Sequence, residues 1–553
     1  MNRKRILSVF TLCMMILPLV AAPALRRPRP VTQPDGTTLT LTSHGDEFFH
    51  WLTDEQGRWV EQGSDGFYRA VPALTPAQIA ARRAASPMRV TQGVPNIGTR
   101  VSIPRVLVIL TQFSDVTFRA ENNVAAFDSL FNSDHYTYND ATGSVRQYFS
   151  DQSLGQYQPQ FDIVGPVTAS KASTYYGQGD NDSHLGELVS EACRLADTQY
   201  DIDFADYDSD GDNYVDAVFV IYAGYGAADG GDKNTIWPKK WQVSAQTTAP
   251  TIDGKRVDVY VCSNEIYNEA AYGYDTSADR REGIALMCHE FSHALGLPDI
   301  YCAANSNYTF KTSGTWDVMD YPYANDGRTP PGYTAYEMFF MGWITPRVLN
   351  TALNDTLGEL HATGDCRIIT ATGEHNLNGV SPDPAEYYLL ENRQQTGWDA
   401  YTMGRGMLLT KVRWSASAWS NNRVNNSASD LRIDIIEADG RATEYGDQDD
   451  PYGWFGKAGD CFPTGATACS PYEAYPLTDI AQQPDGTVTF RFMGGAPDVP
   501  DTPDAPTGLP SYNEHYSATV YDMLGHPLSA DLNALPHGIY IIQTNKNTYK
   551  LCK

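Results

Sequence analysis

The chain has 553 residues, of which 42% are hydrophobic and 12% are aromatic, which excludes a disordered acidic protein and supplies apolar side chains for roughly three or four domains. Its 67 acidic residues exceed its 40 Lys and Arg residues, so the formal net charge is −27 at pH 7. Because binding to a phosphate backbone requires a basic surface, this charge argues against nucleic acid as a partner.

The amino terminus has the layout of a secretory signal peptide. Basic residues at positions 3–5 precede an apolar run over 6–22, and small residues follow. We therefore predict a signal peptide over residues 1–24 and export of the chain, as a secreted or cell-surface protein. The alternative is a membrane anchor, but a run of about 17 residues that contains Pro18 is short for a bilayer span of ~20 residues. No comparable run follows, so we expect no stable membrane span.

Residues 25–98 are predicted to form a small α+β unit. Short segments such as 38–41 and 45–51 alternate apolar and polar residues between turn signals, and an Ala-rich helix is expected around 76–85.

Residues 99–348 are predicted to form an α/β domain. Continuous apolar segments at 106–110 and 217–222 alternate with helical segments, which indicates a sheet covered on both faces. We expect this sheet to be mixed and mostly parallel.

The carboxyl-terminal part is predicted to consist of strands, so the whole chain is multidomain. Over residues 349–495, short strands and Gly/Asn/Asp turns occur without a long amphipathic helix, which favours a β-sandwich. Pro and Asp recur every few residues over 496–510, as in a linker. Residues 511–553 alternate again and are predicted to form a small β unit.

One predicted helix carries two histidines with metal-ligand spacing. His289 and His293 are four residues apart, so they lie one turn above each other and can direct two imidazole nitrogens at one zinc ion. Glu290 then lies beside the metal and is available as a general base. Asp279 and Glu282 are expected to cap the amino end of this helix.

A third ligand is predicted just after the helix. Gly296 can adopt the left-handed conformation that ends a helix, and Pro298 prevents the helix from resuming, so the chain can return Asp299 to the metal. The alternative is a Glu on a second helix, but no Glu occurs between Glu290 and Glu337. Three protein ligands leave zinc a fourth position for water. Activation of that water, with Glu290 as general base, would hydrolyse a peptide bond without a covalent intermediate.

Met319 and Tyr321 are further candidates near this site. A methionine in a tight turn beneath the zinc is typical of metzincin-type peptidases, so Met319 is predicted to form a hydrophobic floor, although a Met beside Val and Trp is also common in ordinary cores. Tyr321 is a candidate to hydrogen-bond the tetrahedral oxyanion. The alternative for Tyr321 is a buried side chain with a structural hydrogen bond.

These motifs resemble those of the immune inhibitor A family of secreted zinc metallopeptidases. The matching segments are 112–115, 148–149, 152–153, 236–238, 289–301, 316–319, 332–337 and 341–343. The resemblance implies a metzincin-like zinc endopeptidase fold with an active-site helix. It also implies His289, His293 and Asp299 as ligands and Glu290 as general base, whereas the family does not require Tyr321.

Eight of the nine cysteines follow the predicted signal peptide, and export permits disulfides. Cys461 and Cys469 enclose a short loop and form the first predicted pair. A cysteine beside a zinc ligand departs from the family pattern, and we predict a bridge from Cys288 to Cys302 across the active-site turn.

Residues 511–553 resemble the C-terminal sorting domain of type IX secretion in Bacteroidetes, through segments 520–525 and 535–541. This resemblance implies recognition by the secretion machinery. The alternative is an ordinary β appendage.

An acidic loop over residues 206–216 is predicted to bind structural Ca²⁺. Five carboxylates within eleven residues suit an ion that takes ~6–8 oxygen ligands. The proposed ligands are Asp206, Asp208, Asp210, Asp212 and Asp216. The alternative is a solvated acidic loop.

Residues 25–98 are interpreted as a propeptide, because a protease active during export would attack its own cell. No cysteine lies between Cys13 and Cys193, which excludes a thiolate that caps the zinc. The candidates for a latency residue are His44, Asp46 and Asp65. The alternative is a permanently attached accessory domain.

The leading hypothesis is a secreted zinc endopeptidase, made as a precursor, that acts on proteins or peptides. The alternative is a non-catalytic surface adhesin or binding protein on a peptidase scaffold.

Overall fold

The computed structural model describes residues 23–25, 27–46, 49–85, 97–178, 182–228, 231, 234–269, 279–302, 312–441, 456–495, 518–521, 526–528, 539–544 and 548–552. Two compact units comprise Met1–Ala496 and Pro497–Lys553. The predicted signal peptide, apart from residues 23 and 24, and the predicted linker lie outside the described residues. Among the helices in the described ranges, none is both long enough and apolar enough to cross a membrane.

The amino-terminal region is an antiparallel meander followed by a helix. Each of its five strands pairs with the next one in sequence. The elements are β1 (Arg29–Thr32), β2 (Thr38–Asp46), β3 (Phe49–Asp54), β4 (Trp59–Gln62), β5 (Tyr68–Ala70) and α1 (Pro76–Ala85).

The middle region is α/β. Its elements are β6 (Arg105–Gln112), α2 (Val124–Asn132), α3 (Val145–Gln152), β7 (Gln160–Thr168), α4 (Ser173–Tyr176), α5 (Leu185–Tyr200), β8 (Val218–Tyr225), β9 (Lys239–Gln242), β10 (Thr251–Ile252), β11 (Lys255–Arg256), β12 (Val259–Tyr267), β13 (Arg280–Arg281), α6 (Ala285–Ala294) and α7 (Ala335–Met341). Strands β12, β8, β6 and β7 are parallel neighbours in that order, while β9 and β13 pair antiparallel with β12.

Both faces of this central sheet are covered by helices. Val106, Val108 and Leu110 of β6 pack in one core with α2, α3, α6 and α7. Leu107 and Ile109 point to the opposite face and pack with α5. Because strand side chains alternate between faces, a strand between two helical layers must be apolar throughout. This arrangement confirms the predicted α/β architecture.

The region after α7 is rich in strands. Its elements are β14 (Arg347–Val348), β15 (Leu353–Leu357), α8 (Leu360–Thr363), β16 (Cys366–Ile369), β17 (Glu386–Arg393), β18 (Gly406–Arg413), α9 (Ala416–Ser420), β19 (Ile433–Ile435), β20 (Leu477–Gln482) and β21 (Val488–Phe492). They form a five-stranded sheet, β14-β16-β17-β18-β19, and a three-stranded sheet, β15-β21-β20. We call this segment the β region.

The β region shares its core with the α/β region. Tyr387 and Leu389 of β17 pack in the cluster that contains residues of α6 and α7. Leu390, from the opposite face of β17, packs with Val488 and Phe490 of the three-stranded sheet. One face of the five-stranded sheet therefore supports the α/β region, and the other supports the second sheet. The specific β-sandwich topology stays a prediction.

The carboxyl-terminal unit contains a four-stranded antiparallel sheet with the strand order β23-β22-β24-β25. The strands are β22 (Ala518–Tyr521), β23 (Pro527–Leu528), β24 (Ile539–Thr544) and β25 (Thr548–Cys552).

Candidate metal centre

The histidine-bearing helix is α6, and all ten of its residues are buried. It begins after Ile284, which makes no side-chain capping hydrogen bond, so the predicted cap by Asp279 and Glu282 is wrong. Both carboxylates instead accept hydrogen bonds from side chains that are distant in sequence. Asp279 Oδ2 accepts from Tyr225 Oη at 2.7 Å, and Glu282 Oε2 accepts from Asn264 Nδ2 at 3.0 Å.

A sharp bend follows α6. Gly296 has a φ of +106°, which confirms the predicted positive-φ glycine at the helix end, and residues with a Cβ rarely adopt such angles. The N–H of Leu297 donates back to the carbonyl of Ser292 at 3.1 Å. The bend reverses the chain and brings Asp299 next to α6.

Three potential ligand atoms converge at this bend. The Nε2 atoms of His289 and His293 are 3.1 Å apart. Asp299 Oδ1 lies 3.3 Å from the first and 3.2 Å from the second. All three side chains are buried, and they form a group that could hold a metal ion. We call these three residues the metal centre.

The histidine tautomers favour a cation at the metal centre. His289 Nδ1 lies 2.7 Å from the carbonyl oxygen of Val318, and His293 Nδ1 lies 2.7 Å from that of Leu297. A carbonyl can only accept, so each Nδ1 carries the proton and each Nε2 presents a lone pair. Together with Asp299 Oδ1, three electron-pair donors face one another in a buried space. This arrangement fits a metal ion, because neutral imidazole nitrogens and a carboxylate oxygen are ligands that zinc takes in proteins.

The carboxylate of Asp299 is held in its charged form. Burial alone would raise the pKa of Asp299, but the adjacent imidazoles of His293 and His289 hold it below its ordinary value. Its second oxygen, Oδ2, accepts a hydrogen bond from Asn422 of the β region at 2.5 Å. Asn422 is a residue that no motif in the sequence indicated.

Glu290 is fully buried on the same helix, beside Lys240 of β9. Burial lowers the pKa of Lys240 to about 7, and the negative charges of Glu290 and Asp258 act in the opposite direction. Lys240 is only 1% exposed. No pattern in the sequence indicated this lysine, because a Lys-Lys pair in a short strand is usually solvent-exposed.

Met319 lies in a tight turn below α6. The N–H groups of Asp320 and Tyr321 both donate to the carbonyl of Asp317, at 3.1 and 3.0 Å. Met319 is buried in the same core cluster as α6 residues, and its carbonyl accepts from the N–H of Ile300 at 2.9 Å. The turn thus contacts both the helix and the segment that carries Asp299. Its role as a hydrophobic floor stays a prediction.

The segment 23–25 lies against the α/β region. Pro23 O accepts from Tyr323 Oη at 3.0 Å, and the N–H of Leu25 donates to the carbonyl of Ala228 at 2.9 Å. The side chain of Leu25 is buried in a cluster formed with Tyr267, Leu286, Tyr321 and Tyr323. Leu286 precedes Glu290 by one helical turn, so this cluster adjoins the face of α6 that carries the candidate base. Tyr321, the predicted oxyanion donor, is thus packed beside Leu25, and its catalytic role stays a prediction.

The three latency candidates have different surroundings. His44 Nε2 lies 2.8 Å from Thr53 Oγ1 within the amino-terminal sheet. Asp65 pairs with Arg69 on the surface at 2.6 Å. Asp46 is fully buried, next to Gly45, whose carbonyl accepts from the N–H of Ala24 at 2.9 Å. His44 and Asp46 thus flank Gly45, the residue through which the amino-terminal region contacts the segment 23–25.

The acidic loop, residues 206–216, brings together three of its five predicted ligands. Carboxylate oxygens of Asp208, Asp210 and Asp216 lie within 4.8 Å of one another. Asp206 instead pairs with Arg105 at 2.7 Å, and Asp212 Oδ1 accepts from the N–H of Tyr214 at 2.7 Å. In addition, Lys255 Nζ lies 2.7 Å from Asp208 Oδ2.

The two predicted disulfides are wrong. Cys469 and Cys288 have free thiols, so neither is joined to its predicted partner. Cys461 packs in a cluster with Trp316, whereas Cys469 packs in the core between the two sheets of the β region. The sulfur atoms of Cys461 and Cys469 therefore lie in different cores, although the two residues are close in sequence. Cys288 is likewise fixed by packing, since its side chain lies in the core beneath α6.

The class that these features define is a metallopeptidase catalytic domain: a buried helix with two histidines, a returning carboxylate and a central sheet covered by helices on both faces. Comparison with known proteins agrees with this class. Residues 95–326 match the model of the family described as "Immune inhibitor A peptidase M6, catalytic domain". The resemblance to the immune inhibitor A family is thereby confirmed, and it covers residues 95–326.

Two relatives are similar over parts of their length. Immune inhibitor A of Bacillus thuringiensis subsp. alesti is 28% identical over 256 residues, which are 39% of this chain and 36% of that protein. Pre-pro-metalloprotease PrtV of Vibrio cholerae serotype O1 (strain M66-2) is 26% identical over 221 residues, which are 35% of this chain and 22% of that protein. This chain therefore covers well under half of either relative.

Proposed function

We propose that this chain is a secreted zinc endopeptidase that hydrolyses peptide bonds in proteins or peptides. The observation that carries the proposal is the convergence of His289 Nε2, His293 Nε2 and Asp299 Oδ1 within 3.3 Å. These three residues would hold the zinc ion, since their lone pairs face one another. When bound, zinc supplies a Lewis acid that polarises the scissile carbonyl and lowers the pKa of a water molecule to about 7.

Glu290 would transfer the proton in this reaction. Its carboxylate accepts a proton from the attacking water, whose oxygen bonds to the carbonyl carbon. The carboxylic acid then donates this proton to the leaving amine nitrogen as the C–N bond breaks. Tyr321 would stabilise the oxyanion, and departure of Leu25 from the cluster that the two residues share would uncover it.

The first prediction concerns Glu290→Gln, which keeps the side-chain volume but removes the base. We expect casein cleavage by the activated protein to fall by about 10²–10⁴-fold, with zinc content unchanged. The matched control is Glu187→Gln on α5, because the side chain of Glu187 is 48% exposed. Cleavage at the wild-type rate by Glu290→Gln would contradict the proposed role.

A non-catalytic adhesin or binding protein is the second candidate. It is favoured by the strand-rich carboxyl half of an acidic chain. An intact wild-type protein that is loaded with zinc and cleaves neither casein nor a peptide library would support this alternative.

The chain is further proposed to be a precursor, with residues 25–98 as its propeptide. The support is the position of Leu25, which is buried in one cluster with Leu286 of α6 and Tyr321. The candidates for a latency residue stay His44, Asp46 and Asp65, of which Asp46 is fully buried. Mass analysis of the active enzyme checks this proposal, since retention of Leu25 would exclude removal as the activation step.

The remaining proposals concern export and organisation. Residues 1–24 would direct export, and residues 511–553 would be recognised by a type IX secretion machinery. Residues 99–348 are proposed as the catalytic domain and 349–495 as a β-sandwich domain. Structural Ca²⁺ is proposed for the acidic loop, because Asp208, Asp210 and Asp216 lie close together.

A further inference from the structure

We infer that Asn422 is a positioning residue of the metal centre, which fixes the carboxylate of Asp299 in the orientation that a metal ligand requires. Asn422 belongs to the β region and lies outside the residues 95–326 that match the peptidase family. The inference rests on the proposed zinc site and concerns how this chain builds it.

Two hydrogen bonds join Asn422 to Asp299. The N–H of Asp299 donates to Asn422 Oδ1 at 2.7 Å, and Asn422 Nδ2 donates to Asp299 Oδ2 at 2.5 Å. Both residues are 1% exposed. Because a backbone N–H can only donate, it must face the amide oxygen, and this places the amide nitrogen against the carboxylate. The first bond holds the backbone of Asp299 and the second holds its carboxylate, so Oδ1 stays directed at the Nε2 atoms of His289 and His293.

The turn that carries Asn422 is anchored on the α/β region. Trp419 of α9 is buried, and its indole N–H donates to the hydroxyl of Tyr336 on α7. The N–H of Asn422 donates to the carbonyl of Trp419 at 2.9 Å. The φ of Asn422 is +46°, within the left-handed region that asparagine tolerates better than most residues. The position therefore suits asparagine in both its backbone and its side chain.

A second asparagine holds the next residue of the same segment. Asn425 Nδ2 donates to the carbonyl of Ile300 at 2.9 Å, and Asn425 Oδ1 accepts from the N–H of Arg432 at 2.8 Å. Residues 299 and 300 are thus held by two buried amides of the β region. The orientation of Asp299 therefore depends on the β region as well as on the bend after α6.

The test uses full-length protein with Asn422→Ala, Asn422→Asp and the matched control Asn421→Ala. Asn421 is the neighbouring amide, and its Nδ2 donates to the carbonyl of Ser417 at 2.7 Å. Zinc affinity is measured by competition with a chromogenic chelator, and the absorption spectrum is recorded after cobalt(II) replaces zinc. We expect Asn422→Ala to weaken zinc binding by about 10- to 100-fold and to change the cobalt spectrum. Asn421→Ala should change neither.

Asn422→Asp decides the question if Asn422→Ala does not fold. Aspartate keeps the volume and tolerates the left-handed turn, but it sets one carboxylate against another, so we expect weakened zinc binding and a changed cobalt spectrum. A merely structural role would lower the melting temperature of the metal-free protein and leave the cobalt spectrum unchanged. Unchanged zinc affinity and an unchanged cobalt spectrum in either folded variant would overturn the inference. A wild-type protein that fails to bind zinc would instead overturn the proposed function.

Discussion

The metal centre and the acidic loop both gather potential metal ligands, but they differ in burial. In each cluster the ligand atoms lie within 4.8 Å of one another, so proximity does not separate them. The three residues of the metal centre are buried, whereas Asp210 of the acidic loop is exposed and its neighbours Asp208 and Asp216 are partly exposed. Water can therefore solvate Asp210 of the acidic loop but none of the three side chains of the metal centre.

The second difference lies in the partners of each ligand. In the metal centre, outer partners bind the atoms that face away from the other two ligands. The carbonyls of Val318 and Leu297 accept hydrogen bonds from the two Nδ1 atoms, and Asn422 Nδ2 donates to Oδ2 of Asp299. In the acidic loop, the carboxylate oxygens of Asp208, Asp210 and Asp216 are bound by N–H groups of the loop itself, and Asp208 Oδ2 is also bound by Lys255. Asp208 Oδ1, for example, accepts from Gly211 N at 2.8 Å. Burial and outer partners, rather than a high density of acids, therefore distinguish a preorganised metal site.

The largest expected difference between the clusters is in zinc binding. Asp299→Asn keeps the side-chain volume but removes the charge from one of three ligands, so we expect zinc affinity to fall by more than the ~10- to 100-fold typical of an outer-shell change. Asp208→Asn makes the same chemical change in the acidic loop and should leave zinc affinity at the wild-type value. Chelator competition on both variants checks this prediction. An equal loss of zinc affinity in the two variants would contradict the distinction between the metal centre and the acidic loop.

The next prediction asks whether the acidic loop binds calcium. Burial raises the pKa of Asp216, and the charges of Asp210 and Asp208 add to this effect, so a bound cation would relieve the cost of ionising Asp216. At a Ca²⁺ concentration of about 100 times the dissociation constant, we expect stabilisation of the folded protein by ~2.7 kcal/mol. Thermal unfolding with and without Ca²⁺ measures this effect, and Asp216→Asn should abolish most of it. An unfolding temperature that is the same with and without Ca²⁺ would favour the alternative, an acidic loop that is solvated and binds no ion.

The helix and bend of the metal centre could be predicted because their determinants are local. The four-residue spacing of His289 and His293 needs only a helix, and the position of Asp299 needs only a helix stop at Gly296. The buried strand β6 was likewise predictable from its uninterrupted apolar residues. In each of these cases a few neighbouring residues fix the backbone.

Other features could not be predicted because their partners are distant in sequence. Asn422 and Asp299 are 123 residues apart, and no pattern in either segment indicates the other. The predicted helix cap failed for the same reason, since Asp279 is engaged by Tyr225 across the sheet edge. The sulfur of Cys461 is likewise directed by core packing rather than by loop length.

The smallest expected effect concerns Lys255, the cation that the acidic loop already has. A hydrogen bond from the Lys255 ammonium holds the pKa of Asp208 below its ordinary value. A carboxyl with a lowered pKa in the folded state contributes stability at neutral pH, and this contribution is lost as the pH falls through that pKa. The stability difference between wild type and Lys255→Met should therefore be present at pH 7 and vanish in acid.

Because the ammonium also competes with Ca²⁺ for Asp208, Lys255→Met should bind Ca²⁺ more tightly, by less than about tenfold. Calcium titrations followed by thermal unfolding at pH 7 check this expectation, with the exposed Lys171→Met as control. Weaker Ca²⁺ binding by Lys255→Met would show that the lysine orders the loop for the ion instead of replacing it.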